Sequence, residues 1–301
     1  MMNLPHVKVS LSAVITAQGD LVHFPKLEKI LHDSQHRSIE LIIVVNTSHE
    51  EGSRFLNRLR ESVEQYSNLN VKVFSYPNKS PGDARNFGEE KSTQDWITYW
   101  DYDDIPNVTK YLEMTAAAIK LNCDVICGGY YQTNYLDPYF VTKHPESFRD
   151  YNLPKQRFYD LGLWRYVFRR SALGVCKFED FSMGEDQIFL LENRVFRDRV
   201  VVYSEYVYTY VRGMTGQLTS SKKAMNGLKG FLGYLNKRIN TFAEAEEIKF
   251  AKCMYIKQCL TGLRRGDIRL KSYSLLALLR HYKFIFDQDA AKLIRRRSDA
   301  Y

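Results

Sequence analysis

Trp96-Ile97-Thr98-Tyr99-Trp100-Asp101-Tyr102-Asp103-Asp104 is the stretch that decides how the chain is read. A short aromatic and apolar run, strand-like in composition, delivers three carboxylates within four positions and breaks at Pro106. Side chains alternate faces along an extended strand, so Asp101 and Asp103 share one side and Tyr102 takes the other. Two carboxylates converging at a strand end suit a hard divalent cation, Mg²⁺ or Mn²⁺, which fills its remaining shell with water or phosphate. Taken alone, D-x-D-D is more often a solvated acidic turn. Its surroundings have to decide.

Upstream, Val7 to Ile15 alternates apolar residues and ends in Thr16-Ala17-Gln18-Gly19-Asp20, a strand feeding a polar loop. Helical spacing follows from about Pro25 to His32. Ile39 to Val45 is almost continuously apolar, as expected of a strand covered on both faces, and ends at Asn46-Thr47-Ser48. A helix from about Glu51 to Tyr66 leads to a strand at Val71–Tyr76. Ser80-Pro81-Gly82-Asp83 then supplies a cap, a proline at the first helical position and an acid three residues after the cap. Trp96–Trp100 is the fourth strand, and Asp124–Cys127 a fifth after a helix over 108–121. This alternation predicts an α/β domain with a mostly parallel sheet. Ligands of such sheets sit beyond the carboxyl ends of the strands, where the loops at Thr16, Asn46 and Asp101 all lie.

Downstream, residues 134–158 read as a long irregular Tyr-rich loop marked by Pro138, Pro145 and Pro154. Leu161–Arg170 reads as a helix. A second acidic centre, Ser182-Met183-Gly184-Glu185-Asp186, precedes an amphipathic helix with Ile188, Leu191 and Val195 on one face. Tyr-rich strands at 201–211 and a polar loop over Arg212–Ser221 follow, and the remainder is helical in character.

Composition bounds the class. With 301 residues, 45 % hydrophobic and 14 % aromatic, the chain is globular rather than disordered. No run approaches a membrane span, and the N-terminus lacks the plan of a signal peptide. The five cysteines (Cys123, Cys127, Cys176, Cys253, Cys259) have no zinc-like or disulfide-framework spacing, so reduced thiols in the cytoplasm are the simplest expectation. The net charge of +8 is unevenly placed: residues 222–301 carry 18 Lys+Arg against 7 Asp+Glu, the first 221 residues 25 against 28. That asymmetry gives the C-terminal quarter a surface role of its own.

Taken in order, these features resemble a family-2, GT-A-fold glycosyltransferase of the bacterial capsule, lipopolysaccharide and exopolysaccharide type. The resemblance covers roughly residues 7–220. It rests on the opening strand with Thr16 and Ala17, on Ile39–Ser48, on Gly82-Asp83-Ala84-Arg85-Asn86-Phe87-Gly88, on Asp101–Asp104, and on Trp164–Arg170 with Phe178 and Gly184-Glu185-Asp186. It implies a GT-A catalytic domain over 1–221, with a nucleotide-sugar half to about 133 and an acceptor half over 134–221, and a basic helical region over 222–301. It further implies a metal-dependent, inverting transfer from a nucleotide-diphosphate sugar, usually a UDP-sugar, to a hydroxyl of a growing surface polysaccharide or lipid-linked glycan. The first loop lacks the family's usual Pro and Tyr-Asn pair, and the base-binding turn has Val45-Asn46 in place of two aspartates, which leaves the base open.

The resemblance also implies roles. Asp103 would ligate the Mn²⁺ or Mg²⁺; Asp101 would hold ribose hydroxyls or join the metal; Thr16, Ala17, Asn46, Arg85 and Tyr102 would line the nucleotide-sugar pocket. Asp104 would be a supporting or turn residue. Asp186 would be the general base. Trp164 and Glu185 would face the acceptor, with a core tryptophan equally compatible for Trp164 and a Ser182-x-x-Glu185 capping box for Glu185. Arg212 and Gln217–Thr219 would close over the diphosphate.

In the C-terminal quarter Leu275, Leu278, Leu279, Tyr282 and Phe286 form one helical stripe beside Arg280 and Lys283. An apolar stretch that short fits a buried helix or one lying on an anionic membrane surface, and both readings stand at this stage. Two other classes compete. A nucleotidyltransferase would carry a Gly-rich phosphate loop, which Thr16–Asp20 matches poorly. A nucleic-acid-binding protein would interleave its basic residues with stacking aromatics rather than with leucines.

Overall fold

The computed structural model describes residues 9–46, 50–66, 68–77, 79–134, 137–143, 162–174, 177–181, 183–193, 200–213, 222–242 and 245–286. The chain divides into two compact units. The first comprises Met1–Arg149, Gly162–Phe178 and Asp198–Met214; the second comprises Asp150–Leu161, Glu179–Arg197 and Thr215–Tyr301.

The first unit is an α/β layer built on one nine-stranded sheet. Its strands are β1 (Leu11–Ala17), β2 (Ile39–Val45), β3 (Asn70–Ser75), β4 (Trp96–Asp101), β5 (Ile105–Pro106), β6 (Val125–Asn134), β7 (Asp137–Lys143), β8 (Tyr166–Arg169) and β9 (Val200–Arg212). The order runs β3-β2-β1-β4-β8-β6-β9-β5, with β7 paired to β6. From β3 to β4 the pairing is parallel. Beyond β4 it is mixed: β8 is antiparallel to both β4 and β6, while β6 and β9 run parallel. The helices are α1 (Phe24–Ser34), α2 (Glu50–Glu64), α3 (Pro81–Lys91) and α4 (Val108–Lys120). α3 starts as the sequence indicates: Ser80 accepts a hydrogen bond from the Asp83 N–H and Pro81 opens the helix. Gly88 lets α3 lie close on the sheet, since a Cβ there would fall on Val14 Cγ1 and 3.2 Å from Val44 Cγ2.

Two expectations change. Leu161–Arg170 is not a helix: Leu163–Arg165 is a 3-10 turn and Tyr166–Arg169 is a strand. Tyr166, Val167 and Phe168 are all buried, and a short apolar run covered on both faces carries no periodicity that separates strand from helix. The place between β4 and β6 decides it. Part of the 134–158 stretch is ordered as β7, whose Tyr-Phe-Val-Thr composition favours strand; residues 144–158 lie outside the described set.

One buried charge sits in the parallel half. Glu40 of β2, opposite Ser12 of β1, is 1 % exposed. It accepts from Ser12 Oγ (2.6 Å), Lys72 Nζ (2.7 Å), Thr93 N (2.8 Å) and Thr93 Oγ1 (2.9 Å). Burial pushes its carboxyl up, but these four donors outweigh burial and hold it below the usual glutamate range.

The second unit contains α5 (Glu185–Glu192), α6 (Lys222–Arg238), α7 (Ala245–Arg265) and α8 (Ile268–Arg280), followed by a 3-10 turn at Tyr282–Phe286. Leu228 and Leu270 are buried together with Met183 packed on them. Arg238 grips both oxygens of the Glu192 carboxylate with three hydrogen bonds (2.8, 3.0 and 3.1 Å), and Tyr234 adds a fourth (2.7 Å). Cys123 and Cys127 in the first unit and Cys253 and Cys259 in the second are buried and form no disulfide among the described residues; Cys176 lies outside them. Among the described residues no helix is long and apolar enough to cross a membrane.

Candidate active site

The carboxyl ends of β2, β1 and β4 lie side by side. Register pairs Thr16 with both Val44 and Asp101, and Ala17 with Val45. The Asn46 N–H then donates to the Ala17 carbonyl at 2.7 Å. Four of the sequence-predicted residues, Thr16, Ala17, Asn46 and Asp101, are thus brought together by strand register alone.

Arg85 reaches this group from α3. It is buried, donates to Asp101 Oδ1 at 3.0 Å, and its guanidinium lies 5.6 Å from the centre of the Phe178 ring. The next residue, Asn86, clasps the Phe178 backbone with its side-chain amide, donating to the carbonyl (2.9 Å) and accepting from the N–H (2.8 Å). The Ala-Arg-Asn triplet therefore fixes both Asp101 and the Phe178 segment.

The three carboxylates of Asp101-Tyr102-Asp103-Asp104 have three different surroundings. Asp101 is half-exposed and paired with Arg85. Asp103 is half-buried; burial and then the charge of Asp101 raise its proton affinity, while His23 and Lys26 oppose the rise. Asp104 is fully buried: its Oδ2 accepts from Tyr208 (3.0 Å) and its Oδ1 from the Val211 N–H (2.8 Å). Burial, followed by the charges of Asp103 and Asp101, drives the Asp104 carboxyl well above the usual range. The Tyr208 hydroxyl also accepts from the Asp101 N–H at 3.2 Å, so β9 braces the acidic turn from below.

β4 ends at Asp101, and Tyr102 lies in the turn that follows, its side chain buried. Its ring joins the hydrophobic core, edge-on to His23 (5.4 Å) and Phe55 (6.1 Å). Asn46 spends its amide locally: the oxygen accepts from the Lys79 N–H (3.0 Å) and the nitrogen donates to the Lys79 carbonyl. Trp164 stacks on Tyr208 (4.5 Å, 8°) and lies near-parallel to Tyr210 (5.7 Å, 17°), with Tyr130 edge-on at 4.7 Å; its carbonyl accepts from the Tyr111 hydroxyl.

Glu185 and Asp186 belong to the second unit and open α5. The N-cap is Gly184, at φ +91°, so Glu185 holds the first helical position and not the third position of a capping box; Ser182 lies outside the described residues. A glycine is suited to that backbone, and a Cβ would sit 2.6 Å from Phe231 Cδ2. Asp186 is half-buried, with Oδ1 accepting from the Gln187 N–H at 2.8 Å. Two acids in the first turn gain from the helix dipole. Arg212 is exposed at the end of β9, and Gln217–Thr219 lie outside the described residues.

Sequence reasoning passed over two groups. Lys26 of α1 donates to the Asp103 carbonyl, and burial lowers its affinity for protons against the pull of Asp104 and Asp103. Tyr208 is one of 21 tyrosines, and nothing local distinguishes it. Among the described residues no three His, Cys, Asp or Glu side chains form a ready metal cage. Two carboxylates nonetheless fit a divalent ion that draws its other ligands from water and a diphosphate, because Asp101 and Asp103 repel each other at a partly desolvated point.

The family model for Glycosyl transferase family 2 matches residues 23–181, more than half of the chain. The chain belongs to glycosyl transferase family 2. It is a glycosyltransferase, and α3, β4 and the Phe178 segment all fall inside the matched region. No curated protein matches it by sequence. Among solved structures it is similar to TarS 1–349 of S. aureus in complex with UDP-GlcNAc: TM-score 0.68, 16 % identity, covering 92 % of this chain and 81 % of that one. It is also similar to the mannosyltransferase PcManGT of Pyrobaculum calidifontis in complex with GDP-Man and Mn²⁺: TM-score 0.58, 12 % identity, covering 96 % and 86 %. At such identities the likeness is one of fold, and the GT-A-type α/β architecture stands.

Proposed function

We propose that this glycosyltransferase transfers a sugar from a nucleotide-diphosphate donor to a hydroxyl of a growing surface glycan or lipid-linked glycan, with inversion at the anomeric carbon. The observation that carries the reading is the acidic pair at the end of β4. Asp103 is partly desolvated and pressed by the charge of Asp101, an arrangement that a cation relieves. Asp103 and Asp101 would hold the Mn²⁺ or Mg²⁺, which when bound offsets the negative charge of the departing diphosphate. Mn²⁺ in the PcManGT complex and the UDP-GlcNAc bound to TarS support the choice of ligands.

Thr16 and Asn46 stand at the carboxyl ends of β1 and β2 and line the nucleotide side; Ala17, its side chain buried in the core, supports them from beneath. Arg85 holds Asp101 in register and adds positive charge beside the phosphates. Asp186 acts as the base. The acceptor oxygen attacks the anomeric carbon, the bond from that carbon to the phosphate oxygen breaks, the nucleotide diphosphate leaves, and the acceptor proton passes to Asp186. Trp164 of the first unit and Glu185 of the second are each assigned to the acceptor side.

Calorimetry with UDP, GDP, CDP and dTDP, with and without Mn²⁺, tests the donor half. One nucleotide should bind, and binding should need both the metal and Asp103, failing in Asp103→Ala. Asp186→Asn should keep that binding and lose transfer. Nucleotide binding indifferent to Asp103→Ala and to chelator would sink the metal reading.

A further inference from the structure

Six of the eight large apolar side chains exposed among the described residues fall between Ile268 and Tyr282. Ile268 is 81 % exposed, Leu275 51 %, Leu276 66 %, Leu279 60 % and Tyr282 52 %. At 3.6 residues per turn, positions 268, 275, 279 and 282 share one side of α8 and its continuation, with Leu276 at the margin. Leu270, Ser274, Ala277 and Leu278 are buried, so the helix already packs into its unit by its other side. The sequence stripe is therefore split: Leu278 is core, while Leu275, Leu279 and Tyr282 face out.

The charges around this face have one sign. Arg264, Arg265, Arg269, Lys271, Arg280 and Lys283 are all exposed. The one acid between them, Asp267, caps α8 by accepting from the Leu270 N–H at 2.7 Å. Exposed leucines framed by cations fit a surface that is apolar beneath a layer of negative charge. A second copy of the chain would bring six cations against six, which opposes self-association through this face. A nucleic acid would use the cations and leave the leucines in water. At 13 residues α8 is about 20 Å long, short of the roughly 30 Å hydrocarbon core, so it would lie on a bilayer and not cross it.

We propose that the exposed face of α8 docks the protein flat on an anionic lipid bilayer, with Leu275, Leu276, Leu279 and Tyr282 entering the headgroup boundary and the flanking Arg and Lys side chains meeting the lipid phosphates. The face lies outside the residues assigned to donor binding and transfer, and its test needs no nucleotide.

The full-length protein is sedimented with vesicles of phosphatidylcholine alone and of phosphatidylcholine with 30 % phosphatidylglycerol. Binding should be at least tenfold tighter to the anionic vesicles. Leu275→Ser/Leu279→Ser should lower it at least tenfold, and Arg269→Glu/Lys271→Glu should abolish the preference for anionic lipid. All four side chains are exposed, so both variants should keep the wild-type circular dichroism. No binding to anionic vesicles, binding unchanged by both variants, or a stable dimer that either variant dissociates would each overturn the proposal.

Discussion

Replacing Tyr208 by Phe removes a single oxygen from beneath the acidic turn and leaves the ring where it stacks on Trp164. That hydroxyl makes two bonds, to the buried Asp104 carboxyl at 3.0 Å and from the Asp101 N–H at 3.2 Å. Without the hydroxyl the buried Asp104 carboxyl and the Asp101 N–H each lose a partner, at about 1–2 kcal/mol apiece, so the expected loss is roughly 2–4 kcal/mol, with no cavity to add. The protein offers a convenient reporter: its three tryptophans, Trp96, Trp100 and Trp164, all lie in the first unit. Urea unfolding followed by tryptophan fluorescence therefore reads that unit alone, and with a slope of about 2 kcal/mol/M the midpoint should fall by about 1–2 M. Nucleotide binding should weaken in the same variant, because Tyr208 fixes the peptide that carries Asp101. Combining Tyr208→Phe with Asp104→Asn should show a coupling of about 1–2 kcal/mol. A midpoint within about 0.3 M of wild type would refute the bracing role and the energetics built on it.

Glu40→Ala should cost about 3–5 kcal/mol, because Ser12, Lys72 and Thr93 lose their common acceptor in a buried setting. The folded pKa of Glu40 lies below its ordinary value, so its stabilisation is complete above that value and drains away as pH falls through the depressed one; Glu40→Gln should flatten the acid limb of a plot of urea midpoint against pH. Gly88→Ala should cost about 1–3 kcal/mol by forcing α3 off Val14 and Val44, read in the same fluorescence transition.

The parallel half of the sheet was legible because each of its elements carries its own punctuation. Ile39–Val45 spans the strand as found, and Ser80-Pro81-x-Asp83 opens α3 at the residue expected. The strand ends also gathered Thr16, Asn46 and Asp101 without any knowledge of side-chain contacts. β8 was illegible for a physical reason. Its Tyr-Val-Phe is buried on both faces, and only the vacancy between two other strands dictates an extended backbone. Glu40 was hidden by its neighbours, since one acid in an apolar strand announces neither its burial nor its four donors. The distinct surroundings of Asp101, Asp103 and Asp104 come from Arg85, Lys26 and Tyr208, which lie far away in sequence. Spacing along the acidic turn carries no trace of them.

The place of β4 in the sheet bears on how the protein is made. Synthesis delivers β1, β2 and β3 before β4, so the parallel half can assemble while the chain is still growing. The other flank of β4 is closed by β8, which begins only at Tyr166, and until then that flank is an open edge able to pair with a strand of another chain. Tyr208, the brace of the Asp101 peptide, emerges later still. A ribosome stalled before that residue would hold a sheet already half built around a turn that has its carboxylates but nothing to steady them.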